Sequence, residues 1–133
     1  NFVLPSAIFT KFMNGLGGGK MSSSNPTSYI ALTDSPEEAA KKIKKYAFSG
    51  GQDTIEEHRK KGGNPDIDMS FQFLKYGLEP NDKKLEEIYQ DYKSGKLLSG
   101  ELKAILIDKL NKFLAEHQRK RELAKKQVDK YLL

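Results

Sequence analysis

Residues 15–26 read GLGGGKMSSSNP, four glycines and one lysine followed by a methionine, three serines and a proline-closed turn. Glycine loses more backbone freedom on ordering than any other residue, and serine hydroxyls compete for backbone hydrogen bonds, so the run predicts a loop. Amide and hydroxyl donors gathered around a single ammonium, Lys20, suit an anion, and phosphate is the commonest anion at glycine-rich loops. Two familiar phosphate loops fail on spacing. The nucleotide P-loop needs a hydroxyl residue directly after its glycine–lysine pair, where Met21 stands, and a glycine at the position that Asn14 holds. The dinucleotide fingerprint, counted from Gly15 and Gly17, puts Lys20 where its third glycine belongs.

The bulk properties bound what such a loop can belong to. The chain has 133 residues, 37% hydrophobic and 31% charged, enough for one domain and a fragment of another. The apolar run Ala104-Ile105-Leu106-Ile107 is far short of the roughly 20 residues that a membrane span requires, so no membrane association is expected. The opening NFVLPSAIF has neither an initiator methionine nor a basic leading region, and it reads as a piece of something larger. Cysteine is absent, which excludes disulfides and thiolate metal sites and makes the cytoplasm the default compartment. The two histidines, His58 and His117, are too few for a metal cluster and are expected to be surface or hydrogen-bonding side chains; no metal site is expected.

The net charge of +5 favours a polyanionic partner without identifying one. The imbalance sits in the tail, where Lys103–Lys130 carries nine basic residues against four acidic ones. Arg119, Lys120, Arg121, Lys125 and Lys126 could neutralise nucleic-acid phosphates. A solvated face explains the same run.

Everything after Asp34 reads as helix. Ser35-Pro36-Glu37-Glu38 is a capping box with proline at the first helical position, followed by Ala40, Ile43 and Ala47 and a stop at Gly50-Gly51. A second, short helix starts at Asp53 or Thr54 with another capping box and stops at Gly62-Gly63. Asn64-Pro65 opens a third, with Ile67, Phe71 and Leu74 as its stripe and Gly77 as its end. A fourth follows Pro80-Asn81-Asp82, with Leu85, Ile88, Tyr89 and Tyr92 on one face and Gly95 as its stop. The last begins at Ser99 and carries Leu102, Ile105, Leu106, Leu110, Phe113 and Leu114 before turning basic. Phe71, Phe73, Tyr89 and Tyr92 have helical spacing and are expected in the core rather than as stacking platforms. No two-residue alternation appears, so the fold class is mainly α, a helical bundle. Residues 1–34 differ: short apolar pieces, Phe2-Val3-Leu4 and Tyr29-Ile30-Ala31-Leu32, flank the glycine loop and suit the edge of an α/β domain.

Lys20-Met21-Ser22-Ser23-Ser24 resembles the K-M-S-K-S signature of class I aminoacyl-tRNA synthetases. The blocks AFSGGQDTIEEHR (residues 47–59), GGNPDID (62–68), Tyr92-Lys93-Ser94-Gly95 and Gly100-Glu101-Leu102-Lys103 narrow the match, in order and spacing, to the eukaryotic-type tryptophanyl-tRNA synthetase family. That resemblance implies two parts. Residues 1–34 would end a Rossmann-type catalytic domain, and 35–133 would be a helical anticodon-binding domain.

It also implies chemistry. Lys20 would be the catalytic cation, and Lys20, Met21, Ser22 and Ser24 would contact ATP, which acts with Mg2+ as co-substrate. The signature's second lysine is Ser23 here, so more of the electrostatic work falls on Lys20, on hydroxyls and on backbone amides. The glycines Gly15, Gly17, Gly18 and Gly19 would serve as hinges for closure over the triphosphate. By the same resemblance Gln52 and Asp53 lie near the anticodon of tRNA(Trp), Asp53 having a competing role as helix cap, and Arg119 and Arg121 would contact tRNA phosphates. The complete enzyme would be a cytoplasmic homodimer acting on tryptophan, ATP and tRNA, and this piece alone would be inactive. A tyrosine-type synthetase and a non-catalytic helical RNA-binding module are the alternatives.

Overall fold

Side-chain caps set where the helices of the computed structural model begin. It describes residues 6–8 and 12–131, so Phe2-Val3-Leu4 lies outside the described residues. Ser35 Oγ accepts the Glu38 N–H at 3.2 Å while Glu38 Oε2 accepts the Ser35 N–H at 3.0 Å, closing both halves of the capping box that starts α1, Pro36–Tyr46. Thr54 starts α2, Ile55–Lys61, by accepting the Glu57 N–H; the reciprocal half is not made, because the Glu57 carboxylate pairs with Lys61 at 2.9 Å instead. Asp68 caps α3, Met69–Phe73, which runs into a π-turn at Leu74–Leu78. Asn81 Oδ1 caps α4, Asp82–Lys93, and Glu101 Oε2 accepts the Leu98 N–H at the head of α5, Ser99–Lys125. A short 3-10 turn, Val128–Lys130, follows. Residues 12–34 are turns and extended chain, and among the described residues there is no strand.

The spine is α5. Leu102, Leu106, Leu110 and Leu114 form a buried ladder at four-residue spacing that packs against α1, α3, the π-turn and α4. Fully burying one such side chain contributes about 2 kcal/mol of transfer free energy, so this ladder is a major block of the core. Around it lie Ile43, Phe71, Phe73, Leu74, Ile88 and Tyr92, with Tyr89 partly buried against them, which is the core role expected of the aromatics.

Several stripe positions shift. In α1 the buried residue is Ala39, with Ala40 only partly covered, because Ala39, Ile43 and Ala47 share one line at four-residue spacing. The same helix stops at Tyr46, before the glycines: Ala47 is extended (ψ 117°) and the Phe48 N–H bonds to the Leu16 carbonyl outside the helix. Ile67 precedes the Asp68 cap and is 49% exposed, and Phe113, turned off the α5 ladder, is 48% exposed.

A charged pair ties the π-turn to α5. Lys109 Nζ lies 2.8 Å from Glu79 Oε2 and Glu79 Oε1 accepts the Asn81 N–H, on a carboxyl group that is itself buried. The hydrogen bond from Lys109 holds the Glu79 carboxyl below its ordinary value, against the opposing effect of burial. A lowered folded value contributes stability that is fully present above the unfolded value and is lost as pH falls through the folded one. Glu79→Gln should therefore be less stable at neutral pH by about 2 kcal/mol in urea denaturation. The gap from the parent should narrow on acidification below pH 4.5, the ordinary glutamate value. A gap independent of pH would deny the pair this role.

Candidate functional site

The glycine loop folds back on itself and is fastened to the helices at its root. Gly15 N–H donates to Gly19 O and Gly18 N–H to Gly15 O, making a tight turn with Gly18 at φ +83°, a conformation that favours glycine. The serine run is held by Ser28, whose Oγ accepts the Ser22 N–H at 3.0 Å and donates to the Asn25 carbonyl at 2.7 Å. Leu16 is the root. Its side chain is fully buried in the helical core, its N–H meets Ser28 O at 2.9 Å, and its carbonyl accepts the Phe48 N–H at 2.8 Å.

This divides the glycines. Around Gly17, Gly18 and Gly19 a side chain would meet nothing within 4 Å, whereas a Cβ on Gly15 would come 2.6 Å from Ser28 O. Gly15 is thus a close-approach glycine and not a hinge; any movement of the loop falls to Gly17–Gly19.

Lys20 is exposed, forms no ion pair among the described residues, and stands on the wall of a cavity of about 290 Å³ shared with Gly15, Gly17, Gly19, Asn25, Thr27 and Ser28. The amides of Gly19 and Lys20 donate to nothing among the described residues, so they add donors to the ammonium. The Met21 side chain is half-buried, packed against the helical core. Ser22 and Ser24 hydroxyls satisfy each other at 2.9 Å.

The second group of residues lies on the Gly50–Thr54 loop. Thr54, and not Asp53, is the cap of α2, so Asp53 is an exposed carboxylate with no hydrogen bond among the described residues. Gln52 is exposed too, with Nε2 donating to Gly62 O at 3.0 Å. Both line a cavity of about 370 Å³ with Ile55, His58 and the start of α5 from Leu98 to Glu101.

Arg119 and Arg121 are elsewhere. They lie on α5 some 20 residues beyond Ser99, about 30 Å along the helix, so the four expected tRNA contacts form two separate places. Neighbouring acids take up part of this charge: Lys120 pairs with Glu116 at 2.7 Å, Lys125 with Glu122 at 2.6 Å, and Arg121 with Glu122 at 3.6 Å. Those lysine hydrogen bonds hold the Glu116 and Glu122 carboxyls below their ordinary values. Arg119 makes no ion pair among the described residues.

Sequence reasoning singled out neither Leu16 nor Asp68, whereas His58, expected as a surface or hydrogen-bonding side chain, is buried and hydrogen-bonded. Asp68 Oδ2 accepts the Gly50 N–H at 2.9 Å and the Tyr92 hydroxyl at 2.8 Å, and His58, 2% exposed, reaches both Gln52 and Leu97. The available signal was the paired glycines flanking His58: a Cβ on Gly51 or on Gly63 would come 2.9 Å from the imidazole ring.

Residues 1–115 match the family described as tRNA synthetases class I (W and Y). The tryptophan–tRNA ligase of Sulfurisphaera tokodaii is 61% identical over 124 residues, covering 92% of this chain and 32% of the relative. The cytoplasmic tryptophan–tRNA ligase of Oryctolagus cuniculus is 48% identical over 131 residues, covering 96% and 27%. The crystal structure of tryptophanyl-tRNA synthetase from Aeropyrum pernix K1 superposes with a TM-score of 0.87 at 44% identity, over 92% of this chain and 33% of that one. The chain thus spans about a third of the length of the first of these curated relatives.

Two measurements check the local assignments. Leu16→Ala should destabilise the helical body by about 2–5 kcal/mol in urea denaturation, as for a buried core leucine; a surface-like change of a few tenths would detach the loop from the core. Thr54→Ala should cost about 1 kcal/mol and Asp53→Ala far less, and the reverse order would return the cap to Asp53.

Proposed function

The chain belongs to the class I tRNA synthetases of the W and Y type, and from that premise we propose that it is the C-terminal part of a tryptophan–tRNA ligase. In this reading residues 1–34 close the catalytic domain and residues 35–133 form the anticodon-binding domain. The complete protein, a homodimer working in the cytoplasm, activates tryptophan with ATP and transfers it to tRNA(Trp). Supporting this placement, a chain in the same family from a eukaryote is named as cytoplasmic, and no helix among the described residues is long and apolar enough to cross a membrane.

In activation the amino-acid carboxylate attacks the α-phosphate of ATP and pyrophosphate departs, so negative charge grows on the phosphoryl oxygens. Catalysis is then mainly positioning and electrostatics. The observation that carries the reading is Lys20: an exposed ammonium beside amide donors, on a loop whose root is buried and whose tip is glycine. It is suited to meeting the phosphates while the fixed root keeps its approach reproducible. Magnesium in this scheme rides on the nucleotide's phosphates. The described residues present no group of three His, Asp or Glu side chains to hold it, and the ion supplies charge neutralisation when bound.

For tRNA, the exposed Asp53 carboxylate accepts hydrogen bonds from an unstacked base and Gln52 both donates and accepts, while Arg119 and Arg121 meet backbone phosphates at a distance from them.

In the complete protein, Lys20→Ala should lower the rate of tryptophan-dependent ATP–pyrophosphate exchange by about a hundredfold or more, with tRNA affinity little changed. Unchanged exchange with altered RNA binding would instead support a non-catalytic module, and exchange driven by tyrosine would move the assignment to the sibling enzyme.

A further inference from the structure

His58 is the one buried side chain of α2. We infer that it is a positioning residue for tRNA selection, fixing the width of the cleft that receives an unstacked nucleobase; this rests on the tRNA reading of Gln52 and Asp53. The cleft has two walls. One is the Gly50–Thr54 loop, and the other is the chain that enters α5 at Leu98, Ser99 and Gly100. The imidazole bridges them. Its Nε2 lies 3.0 Å from the Leu97 carbonyl, just before the second wall, and its Nδ1 lies 3.4 Å from the Gln52 N–H in the first.

The partners fix the tautomer. A carbonyl only accepts, so Nε2 carries the hydrogen, and an amide N–H only donates, so Nδ1 presents its lone pair. A leucine or phenylalanine would fill the same volume without this pair of bonds; what the ring adds is a donor and an acceptor at a fixed separation, one for each wall. The packing shows how closely the site is built around it. A Cβ on Gly51 would come 2.9 Å from Nδ1 and 2.3 Å from Ser99 Oγ, and a Cβ on Gly63 would come 2.9 Å from Cε1 and 2.5 Å from the Tyr92 ring. Tyr92 in turn sits 5.1 Å away, centroid to centroid, and limits the tilt of the imidazole.

The test uses the complete protein. His58→Asn keeps an acceptor near the position of Nδ1, whereas His58→Gln extends its amide toward Nε2 and loses the bond to Gln52. His58→Asn in turn loses the bond to Leu97, so expected for both variants is a rise of about tenfold in KM for tRNA with kcat and tRNA-independent pyrophosphate exchange nearly unchanged. An unchanged KM in His58→Gln overturns the inference, as does a parallel fall of exchange and charging that tracks melting temperature. Should the variants not fold, 15N NMR of the parent imidazole still decides: a protonated Nε2 with a bare Nδ1 supports the bridge, and the opposite tautomer or a charged ring overturns it. A parent protein that charges no tRNA with tryptophan would overturn the functional reading itself, whereas normal charging with a silent His58→Gln removes only this inference.

Discussion

Taking a carboxylate out of water is unfavourable unless its lone pairs are met by donors, and the helical body is arranged around meeting those of Asp68. Its Oδ1 accepts the Ser70 and Phe71 amides at the start of α3, and its Oδ2 accepts the Gly50 amide and the Tyr92 hydroxyl. Burial pushes the Tyr92 phenol well above its ordinary value, so the hydroxyl stays a donor, and it also contacts Ser99 Oγ at 2.9 Å. Asp68 therefore joins the loop after α1, the head of α3 and α4, and Tyr92 extends the network to the first residue of α5. Removing any partner leaves a buried polar group unmet, and the Gly50 amide anchors the loop bearing Gln52 and Asp53 to this network.

From this centre a run of backbone hydrogen bonds leads to the glycine loop. Met69 N–H donates to Phe48 O and Phe48 N–H to Leu16 O, while Leu16 buries its side chain in the same core. The glycine loop and the Gly50–Thr54 loop are thus neighbours on one framework, separated by a few peptide groups rather than by a flexible linker.

Charge is distributed to match. Lys20 stands apart from acids among the described residues, while much of the basic run on α5 is already paired with Glu116 and Glu122 on the same helix. Exposed pairs of this kind contribute little to stability and exchange readily for phosphate contacts, so the helix can offer cations to a polyanion at small cost. In the proposed enzyme the two places act differently: one delivers charge to a reaction, and the other gives affinity that falls with salt.

The sequence by itself determined the features made between near neighbours. Ser35, Thr54 and Asn81 cap helices through amides three residues on, a reach that no tertiary contact needs to supply, and the glycine–lysine–serine run and its flanking blocks pointed to the family directly. Only the tertiary structure decided what depends on distant residues. It buried Leu16, chose Ala39 over Ala40, left Ile67 and Phe113 in water, and set Arg119 far from Gln52. It also assembled Asp68, Tyr92 and His58, whose bonds span 18, 24 and 39 positions. The physical reason is the same in each case: periodicity and capping register the local turn of the chain, whereas a polar group's value inside a protein is set by which donors folding brings to it from elsewhere.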